Sequence, residues 1–169
     1  TVAFPADQLK ILPYNRAVRT LNHHTPATFL TLIGEKFRIS PAEDGEVAHS
    51  GEFKFYLAHE WYLARPKFDL SKLNVIEQLD VSILQDNVLA PLLGIDDPRT
   101  SREIDFIGGI RGTQELIRLV DSKEYAIAFS MHATTVDQLM AIADAGEIMP
   151  PKSTWFEPKL RDGLVSHNF

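Results

Sequence analysis

Apolar residues recur at helical spacing in four stretches of the chain. In the first stretch, Thr25 can cap the helix and Pro26 suits its first turn. In the last stretch, Thr135 and Gln138 have the spacing of a capping box. The pattern predicts helices at residues 26–36 and 113–121. It also predicts a helix capped by Asp80 that runs towards Gly94, and a helix capped by Thr135 that runs towards Gly146.

Alternating apolar and polar residues predict the strands. EFKFYL and EWYLAR, with a short break between them, predict a β-hairpin, and LKILPY predicts a strand that ends in a turn at Asn15 and Arg16. The other predicted strands are IDFIG (104–108), YAIAFSM (125–131), KSTWFE (152–157) and LVSHNF (164–169). Alternating strands and helices with short connections indicate an α/β (α+β) domain: a mixed β-sheet, three to four helices packed against it, and the additional hairpin.

The composition is that of a single globular domain. Hydrophobic residues make up 44% of the 169 residues and charged residues 24%, close to ordinary averages. The net charge of −6 would repel a phosphate backbone, so we do not expect a nucleic-acid partner. The absence of cysteine excludes disulfides, thiolate nucleophiles and Cys-based metal sites.

Localisation follows from the same totals. The chain has no apolar run of membrane-spanning length and no signal-peptide pattern at its start, and its lack of cysteine fits a reducing compartment. We therefore expect a cytoplasmic protein without membrane contact. Val2, Ala3 and Phe4 resemble the end of a strand whose beginning is missing, so residues 1–169 are expected to be one domain that is a fragment or a processed product of a longer protein.

The segment MPPKSTWFEPKL (149–160) combines three prolines with cationic and hydroxyl side chains. Prolines hold the backbone rigid, while Lys152 and Lys159 suit phosphate or carboxylate and Ser153 and Thr154 can donate hydrogen bonds. The alternative is a proline-rich edge strand with solvated lysines. The pattern alone favours neither reading.

Two further motifs offer cations. In PYNR (13–16), Arg16 could hold an anion with Asn15 orienting it, although a local turn stabilised by Asn15 is the favoured interpretation. In IGGIRGT (107–113), Arg111 and the start of a helix could hold an anion, but a tight turn that needs glycine for positive φ is favoured.

Metal and hydrolase chemistry have no specific support in the sequence. The adjacent His23 and His24 lack a third ligand at a recognisable spacing, so no metal site is predicted. His132 and His167 are far apart in sequence, and no G-x-S-x-G motif is present.

Four motifs stand out together, namely LKILPYNR, LDVSIL (79–84), IDFIGGIRG and ADAGEIMPPKSTWFEPKL. They resemble the C-terminal part of the pattern of the bacterial and archaeal domain-of-unknown-function family DUF1015. Full-length members carry an upstream DGHHR-type motif similar to that of ParB-like nucleotide-binding proteins and free-serine kinases. This motif is absent here, and NHHT (22–25) does not replace it.

The resemblance implies a nucleotide-dependent phosphotransferase acting on a small metabolite such as serine or phosphoserine. ATP or another nucleotide with magnesium would bind only in the full-length protein, so the partner of this chain would be its own N-terminal half. The family motifs carry over a set of candidate phosphate or substrate contacts, namely Asn15, Arg16, Arg111, Lys152, Ser153, Thr154 and Lys159. The alternative is a non-catalytic domain for packing or homo-oligomerisation, suggested by Trp155 and Phe156.

Overall fold

The structure, a computed structural model, describes residues 8–159. Its strands are β1 (Lys10–Leu12), β2 (Tyr14–Val18), β3 (Phe37–Ala42), β4 (Phe53–Leu57), β5 (Glu60–Pro66), β6 (Ile104–Gly108), β7 (Ile127–Met131) and β8 (Trp155–Glu157). Its helices are α1 (Pro26–Lys36), α2 (Asp80–Leu84), α3 (Gly112–Asp121) and α4 (Val136–Asp144). The strand expected at 164–169 and the strand end at Val2 to Phe4 lie outside the described residues.

Two helices begin as their capping signals predict. Thr25 Oγ1 accepts from the Thr28 N–H ahead of Pro26, and α1 covers the predicted range. Thr135 and Gln138 form a complete capping box at the start of α4. Both predictions are confirmed because a cap depends on residues only a few positions apart.

The predicted capping role of Asp80 is wrong. Leu79 occupies the cap position of α2, and Asp80 is a buried residue of the helix itself. Its Oδ1 accepts from the Gly51 N–H at 2.6 Å and from the Ser50 hydroxyl at 3.2 Å. The carboxylate therefore ties α2 to the loop before β4. A single π-helical turn, Gln85–Leu89, follows α2 directly.

The predicted α+β class is confirmed. Six strands form one sheet in the order β3-β5-β4-β7-β2-β6, and the predicted hairpin, β4 with β5, lies inside it. Every ladder within residues 8–159 is antiparallel, whereas we expected a mixed sheet. The reason is that β6 and β7, joined through α3, do run parallel, but β2 lies between them and is antiparallel to both.

Two hydrophobic clusters cover the two faces of this sheet. The larger one surrounds α1 and α2 and contains stacked and edge-on phenylalanines such as Phe29, Phe55 and Phe129. Burying each such ring contributes about 1.5–3 kcal/mol. The smaller cluster packs α3 against the other face through Leu116 and Ala17. In the described part of the chain, no helix has both the length and the apolar character needed to cross a bilayer.

Candidate functional site

Asn15 and Arg16 lie in the centre of the sheet and not in a turn. They belong to β2, which pairs with β6 on one side and β7 on the other, and only 2% and 4% of their surfaces are exposed. Asn15 Oδ1 accepts from the Met131 N–H at 3.0 Å, a bond across 116 residues of sequence. The turn interpretation was therefore wrong, because the partner of the Asn15 side chain is distant and not local.

Successive side chains of a strand point to opposite faces of the sheet. The neighbours of this pair follow that rule, since Val18 packs in the larger cluster and Ala17 in the smaller one. Arg16 consequently faces the side of α1 and α2, whereas Asn15 faces the side of α3. The side chains of the two candidate residues therefore lie on opposite faces of the sheet, in different surroundings.

Arg16 is a buried cation with few partners. Its guanidinium donates to the carbonyl oxygens of Tyr14 and, at 3.3 Å, Lys152, and lies 5.6 Å from the centre of the Phe106 ring. It makes no ion pair within 4.0 Å with any carboxylate of residues 8–159. Burial lowers its pKa to about 10, partly opposed by Asp80, so the group stays charged at neutral pH.

The segment 149–159, named the C-terminal segment below, packs against the start of β2 and the end of β6. The indole of Trp155 lies 5.2 Å from the Tyr14 ring and covers Gly108, while β8 pairs with β1. The predicted strand at 152–157 is shortened to these last three residues, since Lys152 has a positive φ of 59°. The segment is held by aromatic packing as well as by a strand ladder.

The polar side chains of the C-terminal segment contact the protein itself. Ser153 is buried, and its hydroxyl donates to the Pro150 carbonyl at 2.6 Å. Lys152 and Lys159 are exposed and lie over aromatic rings, with Nζ 5.5 Å from Tyr14 and 4.0 Å from Trp155 respectively. Thr154 is half-buried. The segment reaches Arg16 through the Lys152 carbonyl, not through its own cations.

Arg111 stands apart from this group. Its side chain is exposed and lies 3.6 Å from Glu115 in α3. Of the glycines around it, Gly112 has the predicted positive φ, at 67°, whereas Gly108 does not. Gly108 is needed for space, because a Cβ there would lie 2.4 Å from the Trp155 ring.

Sequence reasoning missed the buried carboxylate beside Arg16. Burial raises the pKa of Asp80, although the bonds from Gly51 and Ser50 and the positions of His132 and Arg16 act to lower it. The available signal was Asp at a predicted cap, which usually means a surface role. A buried aspartate differs from an exposed capping aspartate only in its contact with the distant loop at Ser50, which the local sequence does not reveal.

We expect Asp80→Asn to stabilise the protein at neutral pH. The folded-state pKa of Asp80 is above its ordinary value of 3.8, so the folded protein holds this proton more tightly than the unfolded chain does. As pH rises through that window, ionisation therefore lowers the free energy of unfolding. Asparagine keeps an acceptor for Gly51 and Ser50 without the charge. Urea denaturation should therefore show a higher free energy of unfolding than in the wild type, and this difference should disappear below pH 3.8.

Asp44→Asn is the control for this prediction. Hydrogen bonding to Lys54 lowers the pKa of the exposed Asp44, so its removal should act in the opposite direction at neutral pH. Equal effects of the two substitutions at all pH values would contradict the assignment of the Asp80 shift to burial.

Two cavities flank the start of β2. The first, the Arg16 cavity, has about 230 Å³ and polar walls from Arg16, Ser82, Gln85 and Asp86, closed on another side by Pro150 and Pro151. The second, the Asn15 cavity, has about 280 Å³ and lies beside the turn into α3. Within residues 8–159, His, Asp and Glu side chains form no group of three or more suited to a metal ion.

The comparison with family models concerns the first half of the chain. The model described as "Protein of unknown function (DUF1015)" matches residues 1–82. The resemblance to DUF1015 is confirmed over these residues. The match contains Asn15, Arg16 and Asp80, whereas Arg111 and the C-terminal segment lie beyond it. For the latter residues, the family assignment stays a prediction.

Solved structures with the same fold agree with that match. Two substituted forms of free serine kinase in complex with AMP each show a TM-score of 0.51 and 18% identity, over 89% of this chain and 55% of theirs. A conserved hypothetical protein from Pyrococcus furiosus shows a TM-score of 0.53 and 17% identity, over 89% of this chain and 56% of its own. The chain thus spans about half the length of these proteins. No curated protein matches it.

Proposed function

We propose that the chain is the substrate-binding half of a phosphotransferase for a small amino-acid metabolite of the serine type. The metabolite would occupy the Arg16 cavity, and the remaining half of the protein would supply the nucleotide contacts and the catalytic base. Phosphoryl transfer depends mainly on positioning and charge neutralisation, which a rigid cavity in a sheet can provide.

The buried guanidinium of Arg16 carries this proposal. A charged side chain is almost never fully buried without a partner, because removing it from water is unfavourable. Two carbonyl oxygens occupy only part of a guanidinium that has five N–H donors. An anionic group in the adjoining cavity would accept the unused donors and neutralise the charge.

The other polar walls of the cavity suit an amino acid. Asp86 provides a carboxylate opposite in charge to Arg16, so the cavity can hold an ammonium and a carboxylate of one zwitterion. Ser82 and Gln85 add hydrogen-bonding groups for a hydroxyl or an ester oxygen. About 230 Å³ is less than the roughly 300–1,000 Å³ of sites for drug-sized ligands, so a metabolite fits better than a nucleotide.

The fold likeness supports the reaction class. The neighbouring structures are named free serine kinases and contain AMP, and this chain corresponds to about half of each. ATP with magnesium would accordingly be bound mainly by residues outside this chain. Lys152 and Lys159, exposed on the C-terminal segment, would face phosphate oxygens only in the completed site.

Thermal-shift and calorimetric titrations test the proposal. We expect L-serine and O-phosphoserine to raise the unfolding midpoint, because a ligand that binds only the folded state stabilises it. Ethanolamine, which keeps the ammonium and hydroxyl groups but lacks the carboxylate that Arg16 would bind, should have a much smaller effect. ATP with magnesium should require the longer protein.

The comparison of ligands contains its own control. A response to ethanolamine equal to that of serine would show that Arg16 does not read the carboxylate. If neither the chain nor the longer protein responded to serine or phosphoserine, the proposal would have to be abandoned.

A further inference from the structure

Three polar side chains that line the Asn15 cavity have hydrogen-bonding groups left unused within residues 8–159. Asn15 is 2% exposed and Ser130 is 3% exposed, and both line the cavity. Within residues 8–159, the Asn15 side chain makes one hydrogen bond, which uses its Oδ1 and leaves the Nδ2 donors free. The Ser130 hydroxyl makes none with the same residues, and the buried Nδ1 of His132 also has no partner there.

Buried polar atoms are normally satisfied, so the unpaired Nδ1 of His132, buried beside this cavity, indicates a missing partner. The arrangement also explains why Asn15 is asparagine. Its acceptor holds the end of β7 through Met131, and the residue also lines the cavity. A purely structural role would need only the acceptor.

The start of α3 contributes to the same cavity. Gly112 and Thr113 line it, and the capping position, Arg111, provides no side-chain hydrogen bond to the helix. A 3₁₀ turn, Gly109–Arg111, leads into α3, and the Gly112 N–H donates to the Gly109 carbonyl. The start of the helix therefore contributes mainly its partial positive charge. Open space adjoins Gly112, where a Cβ would meet no atom within 4 Å.

We propose that the Asn15 cavity is a subsite for a phosphoryl group, held by Asn15, Ser130, His132 and the first turn of α3. Donors that come from β2, β7 and α3 approach from several directions, which suits the oxygens of a tetrahedral phosphate better than a planar carboxylate. Among residues 8–159 no arginine or lysine lines the cavity, so a phosphoryl group there would be held by neutral donors and by the partial positive charge of the helix start.

Glu46 is the acidic side chain in the wall. It is exposed, so solvent screens its charge, and its Oε1 accepts from the Thr113 hydroxyl at 3.5 Å. The subsite stands on residues other than those of the Arg16 cavity and lies on the other face of the sheet. The proposal of this subsite can therefore be correct or wrong independently of the proposed function.

Inorganic phosphate is the first probe, titrated into the 169-residue chain and followed by the amide resonances of Thr113, Gln114 and Met131. Saturable shifts at these residues are expected, with no comparable effect of sodium chloride at equal ionic strength. Asn15→Asp keeps the acceptor for Met131 but replaces the free donor with a charged oxygen. This variant should bind phosphate at least tenfold more weakly, because the loss of one hydrogen bond to a charged group reduces affinity by about that factor.

Thr113→Asp gives a second variant that does not depend on the sheet. A carboxylate in the first turn stabilises a helix, but this one also loses the hydrogen bond to Glu46 and is repelled by it, so the variant should melt close to the wild-type temperature and lose its phosphate response. Gln114→Glu adds the same charge on an exposed neighbour outside the cavity and should bind phosphate almost normally. Equal binding by Thr113→Asp and Gln114→Glu would overturn the subsite.

The source of the phosphoryl group is then distinguished with AMP and O-phosphoserine. Stronger binding of AMP than of phosphate assigns the subsite to a nucleotide, and stronger binding of phosphoserine assigns it to a phosphorylated metabolite. An absence of saturable shifts with all three compounds would overturn the proposal. Serine binding at the Arg16 cavity would be unaffected by that failure.

Discussion

Arg16→Met should lose serine binding while the folded protein keeps nearly the stability of the wild type. The pKa of Arg16 falls from 12.5 to about 10 on burial, which corresponds to about 3 kcal/mol at roughly 1.4 kcal/mol per pKa unit. Methionine has a similar length and no charge, so the substitution removes this penalty. It also leaves the Tyr14 and Lys152 carbonyls without a donor, at about 1–3 kcal/mol each.

The two effects nearly cancel, so we expect a free energy of unfolding within about 1–2 kcal/mol of the wild type. Binding should change far more, because a charged pair of hydrogen bonds to the carboxylate is lost. A decrease of about a hundredfold in serine affinity is expected from calorimetry. Such a separation of stability from binding is typical of a side chain retained for function.

Arg19→Met is the matched control. Arg19 is partly exposed and pairs with Asp105 at 2.6 Å, in a position where ion pairs contribute about 0–1 kcal/mol. We expect a small loss of stability and unchanged serine binding. If Arg16→Met instead unfolded the protein and Arg16→Lys restored it without ligand, Arg16 would be a structural residue.

Gly108→Ala should destabilise the protein by about 1–3 kcal/mol through overpacking alone. Gly108 has an ordinary φ of −60°, so alanine adds no backbone strain there. Its Cβ, however, would lie 2.4 to 2.8 Å from three atoms of the Trp155 ring. The indole would have to move, and the C-terminal segment would move with it.

Trp155→Ala should destabilise the protein by a similar amount, about 2–3 kcal/mol, because the half-buried ring packs on Tyr14 and Gly108. In the double variant the added methyl group enters the space that the indole has left. We therefore expect the two effects to be strongly non-additive, with a coupling energy of about 1–3 kcal/mol in urea denaturation.

Gly34→Ala controls for the general effect of adding a methyl group. A Cβ at Gly34 meets no atom within 4 Å, and the residue lies inside α1. Its replacement should stabilise the protein by about 0.5–1 kcal/mol. Strict additivity of Gly108→Ala and Trp155→Ala would contradict the contact between them.

The elements that could be predicted are those whose signals are local. Pro26 after Thr25 identified the start of α1, and Thr135 with Gln138 identified the start of α4. The hairpin of β4 and β5 was predictable from alternation across a short turn. In each case, the residues that decide the structure lie within a few positions of one another.

The candidate site could not be predicted in the same way. Asn15 and Arg16 are polar residues beside a proline, which locally indicates a turn, yet β2 takes its partners from strands about 90 and 110 residues later. Ser153 looked available for a ligand, but it bonds to Pro150. The sequence motif therefore predicts which residues belong to the candidate site, whereas their burial and direction depend on distant strands.

The insertion of β2 between β6 and β7 also bears on how this protein could be divided. The stretch that matches DUF1015 ends at residue 82, before either neighbour of β2 has begun. A fragment cut there would leave both edges of the central strand unpaired, with Arg16 and Asn15 exposed to water. Such a fragment should not fold, and during synthesis the sheet can close only after β7 has left the ribosome. The boundary of sequence similarity is therefore not a boundary of the folding unit.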